Sequence, residues 1–78
     1  MNMSINLVKR ELEKHNIKYI TVLDDGCDFY TICYTGNTVQ ESNVFFKGVK
    51  QIPSLSVCNN ENGVLESGAH WQRFKYWM

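Results

Sequence analysis

The side chains that could do chemistry are few and scattered. Cys27, Cys33 and Cys58, with His15 and His70, are the nucleophiles and soft ligands of the 78-residue chain. None falls at the close C-x-x-C or H-E-x-x-H spacing that gathers ligands around one ion, so no metal site and no cofactor is expected. A thiolate–imidazole pair is chemically open, but a free thiol in a small protein is ordinarily an inert apolar group, and all three cysteines are expected to be small buried hydrophobes. Asp24 and Asp25 are neighbours whose side chains diverge, unlike the facing carboxylates that hydrolysis needs. The chain also lacks a G-x-S-x-G elbow and a phosphate-cradling glycine loop. The expectation is a protein that is not an enzyme.

The most unusual segment is the aromatic, basic tail from His70 to Met78, HWQRFKYWM. Trp, Tyr and Arg dominate binding hot spots because they cover a large area at low entropic cost and carry a polar end. The same set can stack on bases while its cations meet phosphates. Trp71, Arg73, Phe74, Lys75, Tyr76 and Trp77 are therefore the candidate binding residues, set against the alternative that a thin core needs the large rings. As a strand, the tail places Trp71, Arg73, Lys75 and Trp77 on one side and Phe74, Tyr76 and Met78 on the other. As a helix, His70, Phe74, Trp77 and Met78 would share a face. Composition favours the strand.

Eight basic and eight acidic residues leave no net charge, so no global field draws the chain to nucleic acid or an anionic membrane. The neutrality hides a pattern. Residues 19–46 carry −4 with no Lys or Arg, while residues 67–78 carry +2. Asp24, Asp25, Asp28 and Glu41 form a candidate acidic surface that could meet a cationic groove on another protein, although Asp is favoured at hairpin tips for turn chemistry alone.

These residues must be positioned by a small fold. Ile5, Val8 and Leu12 recur at i, i+3 and i+7 and predict an amphipathic helix starting near Ile5, capped by Ser4, with Met3 and Val8 as a hydrophobic staple. Asn16 can take the left-handed conformation after His15 and set Ile17 against Leu12 in a Schellman-type stop. Residues 17–23 (IKYITVL) and 27–35 (CDFYTICYT) read as strands joined at Asp25-Gly26. That turn pairs Val22 with Phe29 and Ile20 with Thr31 on one face, and Tyr19 with Ile32 and Ile17 with Tyr34 on the other. Cys27 and Cys33 then lie roughly 20 Å apart on one strand, too far to bridge.

After the Gly36-Asn37 turn, Val44 to Phe46 predict a short third strand, ended by Lys47-Gly48. Pro53 marks a strand start or an edge. Ser54 to Cys58 and Val64 to Glu66 read as a second hairpin around an Asn59–Gly63 loop, with Leu65 opposite Val57. Residues 1–78 are expected to form a single α+β domain, an N-terminal helix packed on a four- to five-stranded antiparallel meander.

A chain of this length buries only about 60% of its unfolded surface, and the expected sheet carries apolar groups on both faces. A covering partner or a homodimer is the natural consequence. An odd number of cysteines suits a reducing cytosol, and no stretch of about 18 apolar residues is present to cross a bilayer. The expected function is a small, cytoplasmic, protein-binding regulator or inhibitor, of the kind phage and mobile elements carry, docking on a larger protein. The alternative is a nucleic-acid-binding module that uses the tail.

Overall fold

The structure, a computed structural model, describes residues 3–77, the side chain of Met3 excepted. Helix α1 (Met3–Lys14) is followed by strands β1 (Thr21–Gly26) and β2 (Phe29–Tyr34), helix α2 (Val39–Val49), and strands β3 (Leu55–Val64) and β4 (His70–Tyr76). The strands form one antiparallel sheet in the order β1-β2-β4-β3. The α+β class, the N-terminal helix and the antiparallel sheet are as expected. The plain meander is not: α2 carries the chain to the far edge, and β4 returns between β2 and β3.

Helix α1 ends as its sequence predicts. Asn16 has φ 59°, the Ile17 amide donates to Leu12 O at 2.9 Å, and the Asn16 amide donates to Glu13 O at 3.1 Å. These are the two bonds of a Schellman motif, and they fold Ile17 back beside Leu12 in the core. Val8 and Leu12 are wholly buried. The helix already includes Met3, so Ser4 lies in its first turn instead of capping it. The Met3 half of the expected staple lies outside the described side chains.

The β1–β2 turn falls two residues later than Asp25-Gly26. Cys27 and Asp28 form the loop, with φ 53° and 68°, the left-handed pair a two-residue hairpin requires. Val22 consequently pairs with Ile32 and not with Phe29, and an irregularity separates Asp24 from Gly26. Ile17, expected in the strand, belongs to the helix stop. The register follows from burial. Holding two non-glycine residues left-handed costs about 1–2 kcal/mol each at most, whereas each large apolar side chain removed from water contributes about 1.5–3 kcal/mol. The observed register puts Val22, Tyr30, Ile32 and Tyr34 together in the core.

The expected third strand at Val44 to Phe46 is instead the middle of α2. Thr38 and Glu41 make a reciprocal capping box at its start: Thr38 Oγ1 accepts from the Glu41 amide at 3.1 Å, and Glu41 Oε1 accepts from the Thr38 amide at 3.2 Å. Phe45 and Val49, one turn apart, are its buried residues, while Val44 is 66% exposed. The Phe45 ring stacks on Tyr34 of β2 with centroids 3.8 Å apart and planes 3° from parallel. Gly48 permits the approach of α1's closing turn, because a Cβ there would sit 2.9 Å from Ile17 Cγ1.

The expected hairpin around Asn59–Gly63 is overturned as well. Residues 55–64 form one strand, paired with β4, whose register slips between Val57 and Asn62. Asn60 turns left-handed in the bulge, with φ 68°. Gln72 of β4, only 3% exposed, fills it: Nε2 donates to Cys58 O at 2.7 Å and to Glu61 O at 3.4 Å. The reversal into β4 occurs at residues 65–69, where the Leu65 amide donates to Ala69 O at 2.7 Å; Leu65 is therefore in the turn and not opposite Val57.

Gln72→Leu, which keeps the volume and removes the donors, is expected to lower unfolding stability by about 1–3 kcal/mol, because it strands buried carbonyls. Thr38→Ala is expected to lower it by about 1 kcal/mol through loss of the cap. Urea unfolding of each variant checks both values.

Candidate functional site

In β2 and β4 the pleat sends alternate side chains to opposite faces. Tyr30, Ile32, Tyr34 and Phe74 join Val8 and Leu12 of α1 and Phe45 and Val49 of α2 in one core cluster. Both helices therefore cover the same face. The other face carries Phe29, Thr31 and Cys33 from β2 and Trp71, Arg73 and Lys75 from β4, set out in cross-strand rows by the pairing.

One row runs Cys33, Trp71, Gly63. The Trp71 indole lies over Gly63, where a Cβ would fall 2.8 Å from indole Nε1; the absence of a side chain at Gly63 is what lets the ring lie flat on the sheet. The next row runs Leu23, Thr31, Arg73. Leu23 is 50% exposed. Arg73 Nε donates to Asp25 Oδ2 at 3.1 Å and Nη1 to Glu61 Oε1 at 2.5 Å, and the Thr31 hydroxyl donates to the same Asp25 oxygen. Hydrogen bonds from Arg73 to Glu61 first, and to Asp25 second, push the guanidinium pKa up. Its charge is thereby matched within the protein.

The third row runs Phe29, Lys75, Ser56. The Lys75 ammonium sits 3.9 Å from the Trp77 ring centroid and 5.8 Å from that of Phe29, a cation held by aromatic faces. Trp77 Nε1 donates to Ser56 Oγ at 2.8 Å, which lays the indole against this side of the sheet. Trp77 is 53% exposed.

The structure thus gathers Trp71, Arg73, Lys75 and Trp77 on one open face, the side expected of a strand. Phe74 is corrected: it is 1% exposed and belongs to the core. Tyr76 is corrected too, since it packs against that core, edge-on to Tyr30 at 6.2 Å between centroids. The acidic residues do not form one surface. Asp25 is engaged with Arg73 and Thr31, Asp24 Oδ1 accepts from the Gly26 amide, Asp28 forms the hairpin turn, and Glu41 caps α2 in the other layer. Phe29, Leu23 and Glu61 join the face without having been singled out. The alternation of residues 27–35 held the signal for Phe29, once the register is known.

The cysteines are corrected in part: Cys33 is buried, Cys58 partly buried and Cys27 exposed. Burial pushes the Cys33 thiol pKa up. Burial, then the nearby Glu61 charge, does the same to Cys58. Neither is an activated nucleophile. No group of three metal-ligating side chains occurs among the described residues, and no helix among them is long and apolar enough to cross a membrane. A groove of about 730 Å³ also runs between the end of α1 and α2, past Ile17, Lys18, Val44 and Lys47, but its carboxylate, Glu41, is committed to capping.

Comparison of the chain with family models, with curated proteins and with solved structures finds no match in any of the three.

Two outcomes are expected of this geometry. Iodoacetamide at neutral pH modifies Cys27 first and Cys33 last, as read by peptide mass mapping. Gly63→Ala lifts the Trp71 indole off the sheet, and steady-state fluorescence shows a red shift that Trp71→Phe abolishes.

Proposed function

We propose that this chain is a small non-enzymatic regulator or inhibitor that docks on a larger protein through the open face of its sheet. The observation that carries the reading is the one-sided covering of the fold. Both helices lie on one face, and the other keeps Trp77 and Leu23 half-exposed beside the partly buried Trp71 and Phe29. A face of rigid aromatics with polar edges has the anatomy of a protein-binding hot spot. Its size and its free thiols suit a cytoplasmic regulator, of the sort phage and mobile elements carry.

Nucleic-acid binding is less well supported. Phosphate recognition needs cations free to replace counterions, and Arg73 is already flanked by Asp25 and Glu61. Only Lys75 would be left on the face.

The test is recovery of a partner from extracts of the native host on immobilised protein, followed by titration of that partner. Trp71→Ala and Trp77→Ala are expected each to weaken its binding by about tenfold or more, with the melting temperature of the exposed Trp77 variant little changed. Equal binding by both variants and the parent protein removes the face from consideration.

A further inference from the structure

The formal charges, which cancel over the chain, separate between the two layers of the fold. In the helical layer, residues 3–18 and 35–54, the six cations Lys9, Arg10, Lys14, Lys18, Lys47 and Lys50 exceed Glu11, Glu13 and Glu41, leaving +3. In the sheet layer, residues 19–34 and 55–77, Asp24, Asp25, Asp28, Glu61 and Glu66 exceed Arg73 and Lys75, leaving −3. The molecule is an electric dipole, and the open face belongs to its negative layer.

Within that layer the charge has a further pattern. On the face itself Asp25 and Glu61 bracket Arg73, and with Lys75 the four charges balance. The excess lies at the two ends of the strands. Asp28 is in the β1–β2 hairpin turn, beside the Phe29–Lys75 row, whereas Asp24 pairs with Tyr30 and lies on the helix side of the sheet. Glu66 is in the β3–β4 turn, beyond the Val64–His70 pair. Strands of this length, at about 3.4 Å per residue, set the two acidic ends roughly 20 Å apart with the indoles between them.

Resting on the docking role proposed above, we infer that the partner is a basic protein surface: an apolar patch flanked by cationic side chains, whose approach is steered by the negative layer and repelled by the positive one. Such a surface complements both the aromatic centre and the acidic ends. A polyanion or an acidic protein does not.

The inference is tested with two amphipathic helical peptides of equal length, both with Leu at i, i+3, i+4 and i+7 and with either Lys or Glu at the remaining positions, titrated into the full chain while indole emission is followed. The Leu–Lys peptide is expected to bind at least about tenfold more tightly, with the preference shrinking at high salt. The Asp28→Asn, Glu66→Gln double variant is expected to lose several-fold of that preference, and Trp77→Ala to weaken binding outright. Tighter binding of the Leu–Glu peptide that still depends on Trp77 overturns the charge inference and leaves the docking face standing. Binding that ignores both Trp71→Ala and Trp77→Ala overturns the docking face itself. Failure of both peptides to bind overturns the inference, as does a concentration-dependent dimer in sedimentation that Trp77→Ala abolishes, which would assign the face to a second copy.

Discussion

Strand β4 is confined between β2 and β3, and its pleat divides every neighbouring pair of side chains between a dry side and a wet one. Gln72 and Phe74 must point toward the helices, and Trp71, Arg73 and Lys75 must point away. A shift of one residue would exchange the two sets and put a guanidinium and an ammonium into the core. The register of the central strand therefore decides both what holds the protein together and what it shows to other molecules.

The dry side is an aromatic assembly as much as an aliphatic one. Tyr34 meets Phe45 face to face and Phe46 edge-on, while Phe45 leans on Phe74. These rings fill the gap between α2 and the sheet, and a cavity left there is what a chain this short can least tolerate. Burial also pushes the Tyr34 hydroxyl pKa up, against a smaller opposing effect of the hydrogen bond with Ser42. The wet side is organised by different forces: ion pairing around Arg73 and a cation–ring contact at Lys75. Neither adds much to folding at such exposure.

How much of this could be read beforehand depended on how local its cause was. The α1 stop was readable because Asn16, Leu12 and Ile17 specify it within one turn of chain. The strand nature of the tail and the side taken by Trp71, Arg73, Lys75 and Trp77 were readable from composition and a period of two. Helix α2 was not legible locally, because Val44, Phe45 and Phe46 favour a strand. The Thr38–Glu41 capping pair and the Phe45–Val49–Ile52 spacing pointed the other way, and the stack of Phe45 on Tyr34 favours the helix. The Asp25-Gly26 turn signal lost to a register that buries Ile32 and Tyr34 beside Val22. The bulge in β3 depends on Gln72, a side chain 14 residues away from the carbonyl it satisfies, and nothing near Cys58 announces it.

That bulge has a bearing on solubility. An oily sheet face is hazardous when the rim beside it offers a straight row of free amides and carbonyls, onto which another chain can add and start a ribbon without end. Here both rims are broken, β3 by its three surplus residues between Val57 and Asn62 and β1 by the kink between Asp24 and Gly26. Edge-to-edge addition therefore finds no unbroken rim on either flank of the sheet.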